Sequence, residues 1–152
     1  FVEELAFVYR YLLQSSEKPL IPLSEELAFI KAYYFLLKTR FDERLLLDIY
    51  VGNEIAQQMI PPLTLQILLE NAVKHNIISQ ETPLHIVISE VNSNKVVISN
   101  TLQRRAQSVV STQTGLANLA AKYQLMQQPG PEIFETQDKF SVQITLLPNQ
   151  AS

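Results

Sequence analysis

The strands that can be read from this sequence come in pairs, and that pairing constrains the fold more than any other feature. Leu84, Ile86 and Ile88 alternate with His85 and Ser89, so Leu84 to Val91 is predicted to be a half-buried strand. Asn92-Ser93-Asn94 is a turn signal, and Lys95 to Asn100 returns as the partner strand. A second pair, Glu132 to Thr136 and Lys139 to Leu147, is joined across Gln137-Asp138. Connections this short join antiparallel neighbours, because a parallel pair needs a crossover of a dozen or more residues.

The rest of the chain reads mostly as helix. Phe1, Leu5, Val8 and Leu12 recur at helical spacing, so Phe1 to about Gln14 is a helix whose stripe lies on its own domain or pairs with another helix in a dimer. Ser15, Ser16 and Lys18-Pro19 end it. Ser24 is placed to cap a second helix that carries Glu25 and Glu26 in its first turn and runs to about Arg40, with Leu27, Ile30, Tyr34 and Leu37 as its stripe. Leu45 to Val51 is a strand that stops at Gly52-Asn53. A helix from about Pro62 to Ile77 follows the extended Ile60-Pro61-Pro62, with proline in its first turn. Thr101 to Thr114 is the longest loop candidate, and Gly115 opens a last helix to about Gln127. This order implies an α+β, two-layer sandwich: a mixed, mainly antiparallel sheet with helices on one face, plus an N-terminal helix.

Composition narrows the function. The chain has 152 residues, no cysteine and a net charge of -3, which excludes disulfides and thiolate metal sites and argues against nucleic acid as a partner. Gly52, Gly115 and Gly130 are the only glycines, too few for a Walker loop or a G-x-G-x-x-G fingerprint. The chain opens inside a helical pattern without an initiator methionine, so a piece of a longer protein is expected.

Chemistry concentrates on the helix that holds Leu68 to Asn76. Leu65, Leu68, Leu69, Ala72, Val73 and Asn76 fall on one arc, while Glu70, Asn71, Lys74 and His75 fall on the other, interrupted only by Ile67. A carboxylate, a carboxamide, an ammonium and an imidazole on one face can hold a metal ion and a polyphosphate. They also suit plain solvated surface, and Glu70 with Lys74 suits an i, i+4 pair. His85 reads as a structural or exposed strand histidine.

Leu-Leu-Glu-Asn-Ala-Val-Lys-His (Leu68 to His75), preceded by Ile60-Pro61-Pro62-Leu63, resembles the N-box helix of sensor histidine kinases of the LytS/YehU type, in the GHKL ATPase superfamily. Ser24 to Arg44 is similar to the lead-in helix of that family, and Thr114-Gly115-Leu116-Ala117-Asn118-Leu119 with Lys122-Tyr123 to its second glycine box. The resemblance implies a Bergerat-type fold that binds ATP and Mg2+. Asn71 becomes the magnesium ligand, Lys74 and His75 neighbours of the phosphates or ribose, and Glu70 a catalytic carboxylate that orients a magnesium-bound water. Asn100 stands where many relatives carry the aspartate that accepts a hydrogen bond from adenine. Thr101 to Thr114 becomes the ATP lid, with Arg104 and Arg105 in reach of phosphates, and Gly115 and Leu116 offer backbone at a helix N-terminus. The pattern departs from the family at Asn100 and at Gln113, which replaces a glycine; the position four residues before Asn71, often not an acid in this family type, is Ile67, which argues against efficient water-activating ATP hydrolysis.

The implied organisation is a remnant of the dimerisation and phosphotransfer helix over residues 1–18 and a catalytic ATP-binding domain over 19–152. The phosphoacceptor histidine of a His-Phe-Leu-Phe-Asn motif is absent, so the fragment is expected to bind nucleotide without phosphorylating itself. Implied partners are the phosphoacceptor helix of the parent kinase, a response regulator and a second copy, in a cytoplasmic domain of a membrane-anchored parent. A degenerate pseudokinase on the same fold, acting as a signalling module, and an unrelated interaction domain are the alternatives.

Overall fold

The computed structural model describes residues 1–15, 17–103 and 113–149. In chain order they form α1 (Val2–Ser15), β1 (Ile21–Pro22), α2 (Leu23–Phe41), β2 (Leu45–Tyr50), β3 (Met59–Ile60), α3 (Thr64–His75), β4 (Leu84–Asn92), β5 (Lys95–Thr101), α4 (Gln113–Leu125), β6 (Glu132–Glu135) and β7 (Lys139–Thr145). The main sheet has five strands in the order β2-β4-β5-β7-β6. Both expected hairpins are present, β4 with β5 and β6 with β7, and β5 joins them antiparallel to β7. Only β2 runs parallel to its neighbour, β4, which makes the sheet mixed.

One face of that sheet is dry. Leu45 of β2, Leu84, Ile86 and Ile88 of β4, Val96 and Ile98 of β5, and Val142 and Ile144 of β7 are buried, while the residues alternating with them face away. Helix α3 lays Leu65, Leu68, Leu69 and Ala72 into the same core, and α2 adds Leu27 and Ile30. On the other face His85 pairs with Asp48, Nε2 to Oδ2 at 2.6 Å, which gives this strand histidine a structural partner.

Two helix starts differ from expectation for the same reason, that tertiary contacts rather than local side chains satisfy the terminal N–H groups. Ser24 does not cap α2. The helix begins one residue earlier, and the Leu23 N–H donates to the Gln58 carbonyl at 2.8 Å, continuing the pairing of β1 with β3. That small two-stranded ribbon is absent from the sequence reading, because two residues are too few to show alternation. Helix α3 excludes its prolines: Leu63 turns left-handed at φ 66, and the buried Glu26 of α2 accepts from the N–H groups of Leu63 and Leu65, each at 3.1 Å. Pro62 also disfavours helical geometry in Pro61.

The stripe expected on α1 is rotated. Val8 and Ser15 are buried and Tyr11 stacks on Phe29 of α2 with centroids 4.3 Å apart, but Phe1 and Leu5 stay 60% and 48% exposed. A ring ladder, Phe7–Tyr11–Phe29–Tyr33, sets this face, together with a hydrogen bond from the Tyr11 hydroxyl to Glu26. An aromatic stack with a polar anchor outcompetes aliphatic contact in choosing the side that turns inward.

Candidate functional site

On α3 the buried arc is the expected one, and the polar arc faces out. Asn71 and His75 are half-buried and Lys74 is exposed. Glu70 is not paired with Lys74 among the described residues: Oε1 accepts from the Tyr33 hydroxyl at 3.0 Å and from Gln66 Nε2 at 3.1 Å. The carboxylate therefore ties α3 to α2. Burial, and then the Glu70 carboxylate beside it, push the Tyr33 phenol up to about 12.

Ile67, the apolar interruption, explains how a second element reaches this face. A Cβ added to Gly115 would lie 3.1 Å from Ile67 Cγ2, so the first turn of α4 packs against the middle of the polar arc. Gly115 does not open the helix, which starts at Gln113, and it needs no left-handed backbone. Close approach is its reason. Leu119 and Tyr123 are buried and Leu116 packs on the core, while the Tyr123 hydroxyl donates to the Thr145 carbonyl of β7 at 2.6 Å. Leu116 can thus offer a ligand only its backbone. The contact predicts a context-dependent effect: Gly115→Ala should gain its full helix-propensity benefit of about 1 kcal/mol only in an Ile67→Ala background. In the native background the added methyl should cancel that gain, and a double-mutant cycle by urea denaturation measures the difference.

Asn100 is buried at the end of β5, on the face that carries Val96 and Ile98. Its Nδ2 donates to the Thr101 carbonyl at 2.8 Å, so its amide group is turned toward its own strand end. Arg104 and Arg105 lie outside the described residues, as does most of the expected lid. What precedes them is clamped. Asn76, 1% exposed, accepts from the Gln103 N–H through Oδ1 at 2.6 Å and donates through Nδ2 to the Ala72 carbonyl at 2.9 Å, while the Ile77 N–H donates to the Gln103 carbonyl at 2.8 Å. The sequence reading missed this role for Asn76, as it missed Glu26 and Tyr33. A buried amide on the apolar arc of a helix was the available signal for the first.

The donors favour one kind of metal site. Among the described residues no group of three or more His, Cys, Asp and Glu side chains converges, so a protein cage is not built here. A single carboxamide, Asn71, fits Mg2+, which keeps water and phosphate oxygens and takes few protein ligands.

Residues 1–45, which span α1, β1 and α2, match the family model described as Histidine kinase. The sensor protein LytS of Bacillus cereus is 36% identical over 72 residues, 47% of this chain and 12% of that protein. The sensor histidine kinase/phosphatase LytS of Staphylococcus aureus is 29% identical over 106 residues, 70% of this chain and 18% of that one. The chain thus spans less than a fifth of the length of either relative. In fold it is similar to the cytoplasmic segment of histidine kinase QseC, with a TM-score of 0.54 at 14% identity over 86% of this chain and 78% of that one. Over part of its length the chain is thus similar in sequence to the LytS sensor histidine kinases, and its α+β sandwich shares the fold of that histidine kinase segment.

Proposed function

We propose that this chain is the ATP-binding catalytic domain of a two-component sensor histidine kinase and delivers the γ-phosphate of ATP to a histidine outside the chain. The observation that carries the reading is the docking of the first turn of α4, through Gly115, onto Ile67 in the polar arc of α3. Asn71 and Lys74 lie about one and two turns further along the same stripe of α3 as Ile67, so a helix N-terminus, a carboxamide and an ammonium share one face, a combination suited to a polyphosphate. Asn71 would hold Mg2+, which neutralises phosphate charge when bound. Lys74 supplies a point charge, His75 borders the same face, and the side-chain oxygen of the buried Asn100 would accept from an adenine amino group. Phosphoryl transfer asks mainly for such positioning.

In this proposal residues 1–18 belong to the dimerisation and phosphotransfer unit and 19–152 to the catalytic domain. The exposed Phe1, Val2, Leu5, Tyr9 and Leu13 on α1 then meet the phosphoacceptor helix or a second copy. A response regulator receives the phosphate, and the domain works on the cytoplasmic side of a membrane-anchored parent. Among the described residues no helix is long and apolar enough to cross a membrane.

Calorimetric titration of the chain with ATP tests the reading. Saturable binding that needs magnesium is the expected result. No heat of binding would favour the degenerate pseudokinase, for which the neutral Asn100 in place of an acid is the specific support.

A further inference from the structure

Glu26 sits where three elements meet, and it is fully buried. From α2, its Oε1 accepts from the Leu65 N–H at 3.1 Å, and its Oε2 accepts from the Leu63 N–H at 3.1 Å and from the hydroxyl of Tyr11 on α1. One oxygen is therefore shared between α1 and the left-handed residue that begins α3. Glu26 replaces the missing cap of α3, since neither proline nor Leu63 has a side chain that could accept these hydrogen bonds. Burial raises its carboxyl pKa, and the surrounding donors oppose that rise. A buried acceptor group is costly to leave unsatisfied. If α1 moved and took the Tyr11 hydroxyl away, Oε2 would lose a donor, and Leu63 would be held by a carboxyl group with one fewer anchor.

We propose that Glu26 and Tyr11 are positioning residues for α3, so that the order of its first turn depends on where α1 lies. The consequence for nucleotide affinity rests on the ATP-binding reading above; the consequence for α3 itself does not. The Tyr33 hydroxyl, which donates to Glu70 further along α3, makes a second hydrogen-bonded tie between α2 and α3, one that does not include α1. The linkage to α1 runs through Tyr11.

Amide hydrogen exchange on the whole chain tests this. Tyr11→Phe keeps the ring stacked on Phe29 and removes only the hydroxyl. It should raise exchange at Leu63, Leu65 and Ile67 by roughly tenfold, the effect of one hydrogen bond to a buried carboxyl group, and leave α4 as in the native chain. Glu26→Gln, of equal volume, should do the same, and adding Tyr11→Phe to it should change little more. Val8→Ala, which trims a buried side chain of the same helix away from the ring stack and the hydrogen bond, should lower the melting temperature but spare the start of α3. Unchanged exchange at α3 in Tyr11→Phe, or an equal rise in Val8→Ala, would overturn the proposal. In parallel titrations Tyr11→Phe should weaken Mg-ATP binding several-fold. An exchange response in a chain that binds no nucleotide would support the linkage and overturn the ATP reading.

Discussion

Asn71→Ala is expected to abolish the magnesium dependence of ATP binding and to weaken binding by about a hundredfold, while the chain stays folded. A metal ligand or its immediate support is commonly worth ten- to a hundredfold in affinity, and Mg2+ held by phosphates has few protein oxygens to lose. The fold should tolerate the change because Asn71 is half-buried on the outward arc, and the neighbouring Ala72 and Leu68 carry the packing. Its stability cost should stay near 0.5 kcal/mol, typical of such positions. Asn71→Asp, which keeps an oxygen donor, should retain magnesium-dependent binding. Calorimetry with and without magnesium and a urea melt together decide the matter, and equal affinities for Asn71→Ala and the native chain would remove Asn71 from the site.

Phe29→Ala is expected to cost about 4 kcal/mol, since a fully buried phenyl ring is deleted and its cavity is only partly refilled. The loss is aggravated because Phe29 is the middle of the ladder, stacked on Tyr11 at 4.3 Å and on Tyr33 at 5.9 Å. It would detach α1 and loosen the Tyr33 contact to Glu70 in one step. Against a total stability of roughly 5–15 kcal/mol for an ordinary domain, that is a large share. Phe35→Ala, on the same helix but 47% exposed, is the control and should cost under about 1 kcal/mol. Equilibrium urea unfolding of the two variants gives the comparison.

The architecture was legible because periodicity is written into single segments. Both hairpins, the strand at Leu45, and the helices that became α2, α3 and α4 all carry their own alternation or stripe, and their ends moved by a residue or two. What escaped was set between segments. The ribbon of Ile21–Pro22 with Met59–Ile60 is too short to have a period, and the start of α3 at Thr64 depends on a glutamate 38 positions earlier. Likewise the sequence left open whether the Phe1 and Leu5 stripe lies on its own domain or pairs with another helix, because only the ring stack and Glu26 decide which face of α1 turns inward. For the candidate site, the sequence supplied the address of the polar arc on α3. It could not supply the meeting of Ile67 with Gly115, two residues that share no local pattern.

The parallel pairing of β2 with β4 makes α3 the crossover that carries the chain from one strand to the other. In most crossovers the helix exists to make the connection, and its outward residues are spare. Here those residues are the ones with chemistry. Leu65, Leu68, Leu69 and Ala72 pack the helix into the core, while Glu70 and Ile67 on the outer face still hold α2 and α4, so only the remaining outward positions are open to change without cost to the fold. A lineage built on such a helix can retune what that face meets by point changes at positions such as Asn71 and Lys74, and still inherit the same molecule.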